Sequence, residues 1–272
     1  MKSNFTFVFF GGEPLALPVL QKLYESGFIP ALIVSNPDKP QGRNLKISSP
    51  PTALWAKEHN IPLLQPEKLD EKEIQKNFDF FIVVSYGKII PKEILGLPKL
   101  GTINIHPSLL PLYRGPSPIV ASILNGDTET GVTIIKIDEE MDHGPILAQE
   151  KIKLSQNELV WDLEKSLAEL GAELLVKTIP KFVAGEVDQK EQDHGHATYV
   201  KKIVKTDGEI KLGDDALKNW RKFRAYASWP RTFFFKDGKR IIITDATLEN
   251  GQFVIRKVLP EGKKEIPYSA LL

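Results

Sequence analysis

Two polar side chains, two residues apart, close an apolar run. Residues 101–105 lead into His106, and in an extended chain Asn104 and His106 point to the same face. At the end of a buried strand such a pair needs either hydrogen-bond partners or a task. The residues that follow, Pro107-Ser108-Leu109-Leu110-Pro111-Leu112-Tyr113-Arg114-Gly115, form a proline-rich turn that stiffens the chain behind them. Farther on, Asp138-Glu139-Glu140-Met141-Asp142-His143-Gly144-Pro145 is an acidic loop between two strand candidates. A carboxylate brought from that loop to His106 would set the tautomer or the charge of the imidazole, as general acid–base chemistry requires. Each residue alone has a plainer reading. A histidine at a strand end is commonly a satisfied structural group, and Asp142 before His143-Gly144 is ordinary turn chemistry.

The elements that must position these groups read as α/β. Residues 5–10 are a strand, followed by a turn at Gly11-Gly12 and a helix over about 14–25 that spaces Leu15, Val19, Leu20 and Leu23 along one side. Further strands are expected at 31–35, 78–85, 101–105, 132–137 and 146–154, with helices at 52–59 and about 157–183. Near-continuously apolar strands alternating with helices predict a Rossmann-like, mostly parallel sheet covered on both faces. Ligands of such sheets sit outside the carboxyl ends of the strands, where residues 104–115 fall. The expected division is a first domain over 1–185, a polar linker over 186–207 and a small β domain over 208–272. In the last part, residues 214–226 are helical in pattern. Asp237-Gly238 and Asn250-Gly251 mark hairpin turns between strands at 232–235, 240–244 and 252–258.

Composition narrows the function classes. The chain has 272 residues, 42% hydrophobic and 26% charged, and a formal net charge of +1, which argues against a histone-like or polyanionic protein. It contains no cysteine, which excludes disulfides, thiolate metal sites and cysteine nucleophiles. No apolar run approaches the roughly 20 residues of a membrane span. The apolar run near the start reads as a buried strand rather than a signal peptide, so a cytoplasmic protein is expected. Charge is uneven: residues 206–272 hold 13 basic and 9 acidic residues, a net of +4, whereas residues 1–205 have a net of −3. A basic β domain on a neutral-to-acidic body suits docking to a polyanion, or is an ordinary charge fluctuation.

Taken together, the residues are recognisable. The run from Asn104 to Gly115, followed by Asp142-His143-Gly144, resembles the 10-formyltetrahydrofolate-dependent formyltransferase superfamily. Other segments resemble its methionyl-tRNA formyltransferase family. These are the opening strand with its glycine turn and Pro14, Asn36-Pro37-Asp38-Lys39-Pro40-Gln41-Gly42-Arg43, Ser49-Pro50, and Val83-Val84-Ser85-Tyr86-Gly87-Lys88-Ile89-Ile90-Pro91. Gly131-Val132-Thr133, Thr198-Tyr199, Arg224-Ala225-Tyr226, Trp229-Pro230 and Pro260-Glu261-Gly262-Lys263-Lys264 continue the likeness over nearly the whole chain.

The resemblance implies attack of an amine on the formyl carbon of 10-formyltetrahydrofolate. Asn104 and His106 would donate to the oxyanion, and Asp142 would orient or charge His106 and help remove the amine's proton. It implies folate contacts at Ser108, Leu109, Leu110 and Pro111, and at Tyr86, Gly87, Ile89 and Pro91. Unaided, Leu109, Leu110 and Ile89 read as plain core. The loop over 38–47 would reach the acceptor end of methionyl-initiator tRNA through Lys39, Arg43 and Lys46, although its composition also fits a mobile surface loop. The C-terminal domain would be a tRNA-binding barrel of OB type, with Lys211, Arg221, Lys222, Arg224, Lys239 and Arg240 as phosphate contacts. No metal is implied, and a monomer is expected.

Two departures stand out. The C-terminal domain is tens of residues shorter than the family's barrel, with the loss between Thr247 and Gly251, and Glu13 is not the residue expected after the glycine turn. The alternatives are a sugar-nucleotide N-formyltransferase with the same trio, a glycinamide ribonucleotide formyltransferase, a dinucleotide-binding dehydrogenase and a non-catalytic RNA-binding module. Gly11-Gly12-Glu13-Pro14 is not a dinucleotide fingerprint. The pair His194 and His196 lacks further ligands for a metal.

Overall fold

A computed structural model describes residues 4–41, 46–74 and 77–271 of the chain. The chain divides into two compact units. The first comprises residues 1–114, 131–151 and 165–198, and the second residues 115–130, 152–164 and 199–272.

In chain order the elements begin with β1 (Phe7–Gly11), α1 (Ala16–Glu25) and β2 (Leu32–Val34). A short antiparallel ribbon follows, β3 (Lys39–Gln41) with β4 (Lys46–Ser48), in which Pro40 faces Ile47. Then come α2 (Pro51–Glu58), β5 (Leu63–Leu64), β6 (Phe80–Val84), α3 (Lys92–Leu95) and β7 (Thr102–His106). The chain continues through α4 (Pro118–Asn125), β8 (Glu129–Lys136), β9 (Ile146–Lys153) and α5 (Val160–Val183). The C-terminal part holds α6 (Ala216–Ala225), β10 (Phe233–Lys236), β11 (Lys239–Glu249), β12 (Gln252–Pro260) and β13 (Ile266–Pro267).

The large sheet has the order β5-β2-β1-β6-β7-β8-β9. Its first five strands pair in parallel, and β8 runs antiparallel to β7. All five residues of β1 are buried, which is why the strand reads as a continuous apolar run rather than an alternation. Phe7 stacks on Phe80 at 5.4 Å, while Val8 and Phe10 pack with Phe81, Val34, Tyr86 and Ile94. The strand order reverses between β1 and β6, a topological switch point, and sheets of this kind bind ligands in the crevice outside the carboxyl ends there. The loops there are tied together. Gly12 and Glu13 N–H donate to the Ser85 carbonyl, and Asn36 Nδ2 donates to the Tyr86 carbonyl at 2.8 Å.

In the second unit α4 packs against α6. The small sheet, in order β10-β11-β12-β13, is antiparallel throughout. Both predicted hairpin turns are present: Asp237-Gly238 and Asn250-Gly251 all have positive φ, as tight two-residue turns require. Thr247–Gly251, the stretch from which the family's extra strands are expected to be missing, is the end of β11 and this second turn.

Some elements differ from their sequence expectation. Helix α4 is absent from that expectation, because its residues follow Gly115-Pro116-Ser117 and are largely apolar without a helical signature of their own. It exists because Pro118 occupies the first turn, where no N–H is needed, and Gly126 caps its end at φ +72°. The loop over 38–47 contains the β3–β4 ribbon, and β11 extends beyond the expected strand to Glu249. Asp215 caps α6 by accepting from the Lys218 N–H at 2.8 Å, so the helix starts at Ala216 rather than at Asp214.

Candidate active site

The register of the large sheet places Asn104 of β7 between Val83 of β6 and Ile135 of β8, with His106 facing Thr133. Asn104 is partly buried, and its carboxamide makes no hydrogen bond among the described residues. His106 is only 4% exposed. Its Nε2 lies 3.0 Å from the Tyr113 carbonyl oxygen. A carbonyl only accepts, so Nε2 carries a proton and Nδ1 is left on the other edge. Nδ1 lies 3.5 Å from Asp142 Oδ1. That is ion-pair range but longer than a good hydrogen bond. The structure thus brings the predicted histidine and aspartate together across 36 residues of chain.

The two loops that carry them are held by a dense set of polar contacts. Behind His106, Thr133 Oγ1 donates to the Ser108 carbonyl at 2.6 Å and accepts from the Leu110 N–H at 3.1 Å. Gln149 Nε2 donates to the Leu110 carbonyl and to Thr133 Oγ1, both at 2.9 Å. On the other loop Asp142 has φ +51°, a left-handed conformation that aspartate tolerates better than most residues. Gly144 is pressed so tightly on β8 that a Cβ there would stand 1.9 Å from the Lys136 carbonyl oxygen.

The predicted folate contacts are distributed unequally. Leu110 is buried, whereas Leu109 and Pro111 are partly exposed. Ser108 is fully buried and its hydroxyl is spent on the Leu112 carbonyl at 2.6 Å. Gly87 is exposed, Pro91 is partly exposed and Ile89 is 94% exposed, so Ile89 is not a core residue. The Tyr86 side chain is packed into the core and presents no phenol to the crevice; burial pushes that phenol up to about 12.

Among the expected tRNA contacts, Lys39, Lys211 and Lys239 are exposed. Arg43 lies outside the described residues, as does the side chain of Lys46. The ribbon's base is fastened through Asp38, which accepts from Gln65 at 2.8 Å and Ser49 at 2.9 Å. Those bonds hold its carboxyl below the usual range, Gln65 most strongly. Arg224 requires correction. It is 1% exposed and donates to the Glu158 carbonyl at 2.9 Å and the Ser155 carbonyl at 2.6 Å, so it braces the fold and cannot reach a phosphate. Arg221 is half-buried, Lys222 donates to the Glu209 carbonyl, and Arg240 lies 3.9 Å above the Phe233 ring.

Sequence reasoning missed the residues that brace the site. The expected linker contains a segment over 190–198 that is hydrogen-bonded to both loops. Lys190 and Ile146 exchange backbone bonds at 2.8 and 2.9 Å. Thr198 accepts from the N–H of Tyr113 and of Arg114, both at 2.8 Å. His194 Nδ1 accepts from Arg114 Nη2 at 2.8 Å, and its ring stacks on His143 at 4.0 Å. His196 bonds Asp193 instead. Among the described residues no group of three or more His, Cys, Asp or Glu could hold a metal ion. Arg114 lies within the run from Asn104 to Gly115 and Thr198 within a segment that carries the family likeness, but nothing in the sequence marks Gln192 as part of the site.

Comparison with known proteins gives a consistent result. Residues 4–179 match the family described as formyl transferase, and residues 202–256 match formyl transferase, C-terminal domain. A methionyl-tRNA formyltransferase of Chloroflexus aggregans is 40% identical over 246 residues, covering 89% of this chain and 80% of the relative. One from Thermotoga maritima is 42% identical over 228 residues, covering 82% and 73%. An N-formyltransferase of Helicobacter canadensis, solved with folinic acid and dTDP-3-aminofucose, superposes with a TM-score of 0.69 over 90% of this chain and 88% of that one. At 20% identity that last likeness is one of fold.

Proposed function

This chain belongs to the methionyl-tRNA formyltransferase family, and on that premise we propose that it moves the formyl group of 10-formyltetrahydrofolate onto the amino group of methionyl-initiator tRNA. The observation that carries this reading is the His106–Asp142 pair at 3.5 Å beside an Asn104 carboxamide with no partner among the described residues.

The folate co-substrate supplies an activated formyl carbon. The remaining tasks fall to three side chains. As the amine nitrogen bonds to that carbon, charge develops on the formyl oxygen, and it is withdrawn again as the carbon's bond to the folate nitrogen breaks. Asn104 Nδ2 donates to it from one side. His106, with Nε2 anchored on Tyr113, donates from Nδ1. Asp142 beside Nδ1 orients the imidazole and takes up the proton the amine loses, and that proton leaves on the departing folate nitrogen. Aimed donors replace water around the developing charge without having to reorganise. No nucleophilic side chain is required, since the substrate amine is the nucleophile.

The loops here suit a pterin ring, offering apolar surface for its faces and backbone groups for its donors and acceptors. Ile89 offers exposed apolar surface, Gly87 allows close backbone approach, and Leu109 and Pro111 lie partly open on the facing loop. We assign residues 1–185 to catalysis, 186–207 to the connection and 208–272 to a shortened, OB-type tRNA-binding domain. Lys39, Arg43 and Lys46 would meet the acceptor end, and Lys211, Arg221 and Lys239 the phosphates, with Arg224 removed from the set. The protein acts as a cytoplasmic monomer in this reading.

The test is the single-turnover rate of formyl transfer to methionyl-tRNA by the His106→Ala variant. Losing one donor to the oxyanion should slow transfer about 10²-fold or more while substrate binding persists. A rate within about twofold of the parent would remove His106 from the mechanism.

A further inference from the structure

Gln192 is 4% exposed, in a stretch of sequence that is otherwise polar and largely solvated. Its Nε2 donates to two carbonyls of the acidic loop, Asp142 at 2.9 Å and Gly144 at 2.8 Å. Its Oε1 accepts two bonds from Arg114, Nη2 at 2.7 Å and Nε at 3.2 Å. Both hydrogens and both lone pairs of the carboxamide are therefore used. Arg114 is itself 1% exposed and directly follows Tyr113, whose carbonyl anchors His106. One side chain thus bridges the loop that orients the imidazole and the loop that carries the carboxylate.

We propose that Gln192 is a positioning residue that sets the spacing of Asp142 from His106. The inference rests on the reading of Asp142 as a catalytic group. Asp142 sits at φ +51° and persists there only if its surroundings impose that conformation. The paired bonds to the carbonyls of 142 and 144 impose it from both ends of the turn. Glutamate at 192 would still accept from Arg114, but it would offer no donor and would set a negative charge against two carbonyl oxygens. The exchange therefore separates the grip on Asp142 from the packing of Arg114. Misplacing a reacting group by about 1 Å costs up to about 10²-fold in rate.

The test is a double-mutant cycle on the full-length protein with Gln192→Glu, Asp142→Asn and both together. It is read as kcat and KM for formyl transfer to methionyl-tRNA, alongside thermal midpoints. Gln192→Glu should lower kcat about 10- to 10²-fold, leave both KM values within about twofold, and cost less than about twofold further when Asp142 is already asparagine. An equal loss in both backgrounds would show that Gln192 does not act through Asp142. A parental kcat for Gln192→Glu beside a slow Asp142→Asn would overturn the clamp and leave the catalytic reading standing. A parental Asp142→Asn would bring down that reading and the proposal with it. If Gln192→Glu does not fold, Gln192→Asn, one methylene shorter, is read in the same cycle against the same outcomes.

Discussion

The Tyr86 hydroxyl is buried without a partner among the described residues, and its ring meets Phe10 edge-on at 5.6 Å. Burial raises the phenol to about 12, so Tyr86 stays neutral across physiological pH and takes no proton from a substrate. Deleting an unsatisfied buried hydroxyl removes a desolvation cost without breaking a bond, so Tyr86→Phe should be neutral or stabilising by up to about 1 kcal/mol. Thermal melts would show it as an unchanged or higher midpoint, and a clear fall would reveal an unseen partner. Asn104 also lacks a partner among the described residues, but it is only partly buried at a strand end, where a ligand can complete it. Asn104 and His106 could be read from sequence because a spacing of two fixes a shared face. Asp142 could be read only through resemblance, since its closeness to His106 comes from two loops folding together. Gln192 could not be read at all: it recognises backbone carbonyls, which every residue presents. Ile89 misled the unaided reading because an apolar side chain on a loop can stay exposed, and its type alone does not report burial.

Asp79 shows how single contacts fasten the elements beneath the site. Just before β6, it accepts from the Thr6 N–H and from Lys99 Nζ, both at 2.8 Å, joining the approach to β1 to the approach to β7. Lys99 first, and then the Thr6 N–H, hold its carboxyl below the usual range. A carboxyl lowered on folding contributes stability above its unfolded pKa and loses it as pH falls through the folded value. Asp79→Asn should therefore cost about 1 kcal/mol at neutral pH, with the gap to the parent closing in denaturant titrations as pH falls below the ordinary carboxylate range. A gap that persists in acid would mean that the bonds do not depend on the charge. At this scale the parallel strands were readable from buried apolar runs, and the hairpins from Asp237-Gly238 and Asn250-Gly251. Helix α4 was not, because tertiary packing against α6 outweighs its weak propensity. The β3–β4 ribbon was hidden because its strands are three residues each and flank polar residues typical of a loop.

For the whole molecule the question is which acceptor it engages. The net charge of +4 over residues 206–272 favours a polyanion, but the structure sorts those cations. Lys211 and Lys239 are open to solvent, whereas Arg224 is spent on two carbonyls and Arg240 on an aromatic face. Charge counting suggests a polyanion but not which side chains are free to meet one, because burial is decided by packing, on α6 for Arg224 and on β11 for Arg240. In the described residues no helix is long and apolar enough to cross a membrane. The most direct measurement offers 10-formyltetrahydrofolate to the protein with charged initiator tRNA, charged elongator methionine tRNA and amino-sugar nucleotides in parallel. Formyl should appear on the methionyl group of the initiator tRNA and not on the sugars. If it appears only on a sugar nucleotide, the acceptor assigned here is wrong, even though the same three side chains would still perform the transfer.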